Sequence, residues 1–106
     1  MKLSTGETIP GYEIVEVLGV ARGNTIRARH LGRDISATFK NILGGEIQDY
    51  TKLMAESREQ AIDRCIAHAR EMGADAIVGL RVGTSMVMQL AAEIVAYGTA
   101  VKTKPR

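Results

Sequence analysis

Cys65 and His68 stand three residues apart in a stretch of helical character, and a second histidine, His30, lies upstream. Thiolate and imidazole are ordinary donors for zinc or copper, and a soft-metal site gathers three or four such groups. One cysteine and two histidines do not complete that set within one chain. Symmetry in an oligomer could multiply them. Cys65 also falls at the centre of an apolar stripe with His68 at its margin, the pattern of a buried thiol beside a boundary histidine. Cys65 and His68 are therefore the metal candidates, set against a plain structural reading.

A second constellation is polar: Arg33, Asp34, Glu46, Tyr50, Arg58, Asp75, Glu93 and Tyr97, in a chain otherwise built from small apolar residues. Arg58 lies four residues after Met54 and seven before Cys65, inside the helical apolar stripe. An unpaired buried guanidinium costs several kcal/mol, so this reading requires a carboxylate partner, an escape to solvent or a reach across a subunit boundary. Asp75, Glu46 and Glu93 are the candidate partners. The same set could instead line a ligand pocket between subunits. Gly44 and Gly45, followed by Glu46, could present backbone N–H groups to a ligand, though a helix stop needs the same glycines.

Enzymatic signatures are missing: there is no nucleophile elbow, no phosphate loop and no dinucleotide fingerprint. The basic residues Arg22, Arg27, Arg29 and Arg33, with His30, and the tail residues Lys102, Lys104 and Arg106 would suit an anionic polymer. No aromatic residues are interleaved with them to stack on bases, so the expectation is a solvated loop and a frayed tail, with no nucleic-acid partner. No cofactor is indicated. The formal net charge of +2 does not itself imply an anionic partner.

These residues must be positioned by few elements, since 106 residues correspond to one domain, 1–106. A lone cysteine rules out an internal disulfide and fits a reducing compartment. Residues 1–7 lack the apolar run of a secretory signal and no segment reaches membrane-spanning length, so the expected location is the cytoplasm, away from a membrane. With no Trp and one Phe, the core favours close backbone approach over large aromatic burial.

The stretch 12–21 reads as a strand ending at Gly23-Asn24, with Glu13 and Glu16 on opposite faces. Residues 33–43 read as a short helix stopped by Gly44-Gly45. Thr51 is placed as the cap of a longer helix running to Met72, with its apolar stripe at Met54, Ala61, Ile62, Cys65, Ile66, Ala69 and Met72 and with Glu59, Asp63 and Arg70 opposite. Gly73 closes that helix with positive φ. Asp75 precedes the strand 76–82, apolar on both faces before Arg81, which needs something packed on each side. Residues 92–101 form the last strand, paired with it as a hairpin. The expected fold is α+β, a two-layer sandwich of a small antiparallel sheet and helices.

With these elements placed, the chain resembles the YbjQ-like family of small bacterial proteins, labelled heavy-metal-binding and otherwise without an assigned function. The resemblance rests on Gly32-Arg33-Asp34-Ile35, Gly44-Gly45-Glu46, Tyr50-Thr51, Ser57-Arg58 with Ala61, the run from Gly73 to Gly79, and Ala96-Tyr97-Gly98-Thr99-Ala100-Val101. It implies a subunit related in outline to dodecin and a ring-shaped homo-oligomer, a pentamer, that could bind a small ligand at its interfaces. The residues agree in one respect: so apolar a sheet is more than one helix can cover. Family members often carry Met at the Cys65 position, so Cys65 and His68 are not a family motif.

Overall fold

A computed structural model of the chain describes residues 1–28, 47–88 and 91–106. The chain order is β1 (Lys2–Leu3), β2 (Tyr12–Ala28), α1 (Ile47–Glu71), β3 (Ala76–Met88) and β4 (Ala91–Pro105). The four strands form one sheet in the order β1-β3-β4-β2. β4 pairs antiparallel with both β2 and β3, while β1 pairs parallel with β3. The sheet is therefore mixed, not the purely antiparallel one expected. The short helix expected over 33–43 lies outside the described residues.

The long strands overrun their expected ends. β2 continues through Gly23-Asn24 to Ala28. Gly23 does not stop the strand; it lets α1 sit on it. A Cβ at residue 23 would run into the Cys65 nitrogen and the Ala61 carbonyl oxygen. β3 and β4 likewise extend to Met88 and Pro105. The tail is not frayed: Lys102 and Lys104 pair in register with Glu16 and Glu13, and Arg106 donates from Nε to the Tyr12 carbonyl at 3.2 Å.

That register explains the imperfect polar alternation of β2. A register shift between Ile14 and Glu16 brings Glu13 and Glu16 opposite alternate residues of β4, hence onto one face. Their carboxylates lie 3.8 Å from Lys104 Nζ and 4.0 Å from Lys102 Nζ, exposed pairs of small energetic weight.

α1 begins at Ile47, so Thr51 is inside the helix and is not its cap. Its stripe is largely as expected: Ala61, Cys65 and Ala69 are buried, with Met54, Ile62, Ile66 and Met72 packed beside them. Its C-terminus also matches. Gly73 has φ 86°. Its N–H donates to Arg70 C=O, and that of Ala74 to Ala69 C=O, each at 3.0 Å. This 5→2 and 6→1 pair is a Schellman motif.

The core has two parts. Under the helix lie Ala21, Ile77, Ile94, Ala96 and Ala100 with the α1 stripe. Behind the sheet, Ala76, Val78 and Val101 pack with Ile9, flanked by Tyr12 and Ile14. The start of β3 is thus buried on both faces, as its composition requires, and the second cover there is the chain's own N-terminal segment. The same segment guards its outer edge, with Gly6 C=O accepting from Gly79 N–H at 2.7 Å and Ser4 C=O from Leu80 N–H at 3.0 Å.

Candidate functional site

The helix and sheet meet chemically along the outer edge of β2. This strand ends the sheet, so alternate backbone groups of residues 22 and 24 face away from β4. Side chains one helical turn apart on α1 take them up. His68 Nδ1 accepts from Arg22 N–H at 3.1 Å, and Arg64 Nη1 donates to Asn24 C=O at 2.7 Å. The intervening Gly23 allows this approach. One layer deeper, Thr25 Oγ1 donates to Ser57 C=O at 3.2 Å, and the buried Ser57 hydroxyl donates to Leu53 C=O at 2.8 Å.

An open cleft of about 560 Å³ runs along this edge. Arg64, His68 and Glu71 of α1 line it on one side, and Arg22, Asn24 and Val95 of the sheet on the other. Sequence reasoning treated Arg22 as part of a solvated basic cluster and did not single out Asn24 or Arg64. The available signal was the four-residue spacing of Arg64 and His68, beside a glycine-centred Arg22-Gly23-Asn24 that a regular strand would not need.

The residues expected to form one polar constellation do not converge. Arg58 is exposed, and Ser57 takes the buried place because the stripe steps by four through Ser57, Ala61, Cys65 and Ala69. One residue further on lies about 100° round the helix. Asp75 therefore serves another purpose: its carboxylate accepts from Thr103 N–H at 3.0 Å and Thr103 Oγ1–H at 2.9 Å, tying the start of β3 to β4. Glu93 Oε2 lies 3.5 Å from Asn24 Nδ2. Tyr97 is exposed on the sheet face away from α1, in register with Arg22 on one side and Arg81 on the other. Arg81 is engaged elsewhere, donating from Nη1 to Thr5 C=O at 2.6 Å. Tyr50 lies in the first turns of α1. Arg33, Asp34, Gly44, Gly45, Glu46 and His30 lie outside the described residues.

Cys65 and His68 separate in character. Cys65 is fully buried, and burial pushes its thiol above the ordinary value, away from the thiolate that a metal requires. His68 is held at the strand edge through Nδ1. A metal-bound imidazole directs its other N–H to an acceptor; here Nδ1 faces a backbone donor, so in the neutral ring the proton resides on Nε2. Among the described residues no three His, Cys, Asp or Glu side chains are placed to share a metal ion. No helix among them is long and apolar enough to cross a membrane.

A family model described as "Putative heavy-metal-binding" matches residues 1–104. A "UPF0145 protein" of Pseudothermotoga lettingae is 59% identical over 104 residues, covering 98% of each chain. Another, from Methanoculleus marisnigri, is 52% identical over 106 residues, covering 100% of this chain and 99% of its own. The relatives include archaea, so the family is not confined to bacteria as expected. A crystal structure of a protein of unknown function from Pediococcus pentosaceus superposes with a TM-score of 0.69 over 98% of each chain at 18% identity, a likeness of fold. The whole-chain match and the identity of these relatives agree with the residues that carried the resemblance: the chain belongs to the YbjQ family.

Proposed function

We propose that this chain is the subunit of a ring-shaped homo-oligomer, a dodecin-like pentamer of the cytoplasm, acting as a non-enzymatic binding scaffold. The observation that carries the reading is a set of exposed apolar side chains that no described element covers. Val17, Val20 and Ile26 on β2 are 65%, 63% and 62% exposed on the sheet face away from α1, with Tyr97 beside them on β4. Arg22 and Asn24 stand between Val20 and Ile26 on this face, and exposed branched and aromatic side chains set among polar groups in this way mark an interaction site.

The subunit's dimensions support the same conclusion. Its Cα radius of gyration is 17.3 Å, against about 13 Å for a compact chain of this length. Its accessible surface is 6709 Å², against about 5,800 Å² for a folded monomer of this mass. A second copy on the open face would cover part of the excess surface. Packing there would bring Tyr97 and Glu93 of the expected set to a subunit boundary, where a small ligand could also lodge. Sedimentation velocity at micromolar concentration tests the reading: the expected species is a pentamer, and a stable monomer would sink it.

The family's description favours a second reading, heavy-metal binding. Zinc or copper would then bind stoichiometrically to freshly purified protein, and Cys65→Ser with His68→Ala would abolish the binding. The buried thiol and the orientation of His68 weigh against that pair, so the scaffold reading stands first.

A further inference from the structure

We propose that His68 and Arg64 latch the outer edge of β2 shut against strand addition by a second copy of this chain, and that acid releases the His68 half of the latch. An unpaired strand edge offers its backbone N–H and C=O groups to any extended chain. β3 supplies the matching strand. Its outer edge is taken up by the N-terminal segment only as far as Leu80, and residues 82–86 carry no charge and have no outer partner among the described residues. Pairing β2 of one copy with β3 of the next joins two different edges, a head-to-tail contact that repeats from copy to copy.

The latch occupies the groups that such a strand needs. His68 Nδ1 accepts from Arg22 N–H, and Arg64 Nη1 donates to Asn24 C=O, so one donor and one acceptor on successive outward-facing residues are already bonded. The Arg22 side chain takes no part. It stands exposed between the buried Ala21 and Gly23, on the sheet face away from α1.

The two halves answer differently to pH. A guanidinium keeps its protons throughout, whereas an imidazole that gains a proton carries N–H on both nitrogens and has no lone pair left to accept from Arg22 N–H. The bond is therefore present with the neutral ring and lost as pH falls through the range, about 8 to 5, in which histidine side chains take up charge. On α1 the charged neighbours of the ring are Arg64, which repels a positive ring, and Glu71, which attracts one, with the buried Cys65 thiol one turn away. β2 presents its backbone to the ring, and β4 brings only Val95 to the cleft. The latch is built within one chain at the sheet edge, apart from the ring contact proposed for the open face.

The test is NMR of intact nitrogen-15-labelled protein, reading the nitrogen–nitrogen coupling across the hydrogen bond from Arg22 N–H to His68 Nδ1. The coupling is expected at pH 8 and absent at pH 5, while the Thr25 amide, which turns toward β4, stays protected from exchange at both. His68→Asn places a carbonyl oxygen at the Nδ1 position and should hold the Arg22 amide shift constant across this range. Sedimentation velocity gives a second readout in Arg64→Ala, where His68 alone closes the edge. Species larger than those at pH 8 are expected at pH 5, and adding His68→Asn should suppress them. No coupling at pH 8, a coupling that survives at pH 5, or equal sedimentation of Arg64→Ala at the two pH values would overturn the proposal. A monomer at pH 8 with the coupling intact would remove the ring and leave the latch standing.

Discussion

Gly23 of β2 lies directly against the backbone of Cys65 in α1, so close that a methyl group at residue 23 would occupy the space of the Cys65 nitrogen. The obstructing atoms are helix backbone and cannot rotate away. This contact sets the distance between the two layers and brings Arg64 and His68 within reach of the β2 edge.

Gly23→Ala should therefore destabilise the fold by about 3 kcal/mol or more, the upper range for overpacking. Gly83→Ala is the control, since its Cβ would meet only Val95 Cγ1 at 3.9 Å. Urea unfolding should show a change below about 0.5 kcal/mol there. Equal effects of the two substitutions would remove Gly23 from this role.

Asp75→Ala should cost about 2 kcal/mol, because it removes a charged acceptor from a part-buried N–H and hydroxyl of Thr103. The amide of residue 103 should then lose protection in hydrogen exchange. Unchanged protection would show that the carboxylate does not hold β4.

Thr25→Val keeps the shape of a buried side chain while deleting its bond to Ser57 C=O. A loss of about 1 kcal/mol is expected, measured as a shift of the denaturant midpoint at constant m.

Burial raises the Cys65 thiol above its ordinary value of 9.0, because the neutral form is favoured inside the fold. The stabilising contribution is thus fully present below pH 9.0 and is lost as pH rises from there through the folded value. Stability should decline across that window, and Cys65→Ala should flatten the decline. Native protein at pH 8 should also react with a thiol reagent far more slowly than unfolded protein.

Val20→Lys combined with Ile26→Lys should reduce the sedimenting mass toward one subunit, since both positions are more than half exposed on the proposed assembly face. Far-ultraviolet circular dichroism should remain that of the folded chain. An unchanged oligomer would place the interface elsewhere.

The amino-acid order by itself determined the helix stripe, its glycine stop, the doubly buried start of β3 and the β3–β4 hairpin. Each depends on a short-range pattern: four-residue apolar spacing, a residue free to take positive φ, or an unbroken branched run. The family resemblance came separately from residue motifs, among them Ser57-Arg58 with Ala61 and the run from Gly73 to Gly79. The tertiary structure alone decided that Gly23 is a packing site and not a strand end, that Asp75 serves Thr103, and that Arg58 faces solvent. It also placed Arg22, Asn24, Arg64 and His68 around one cleft. These outcomes depend on the helix's rotation over the sheet and on β2 being an edge strand, which follow from contacts between residues some forty positions apart and leave no local periodicity to read.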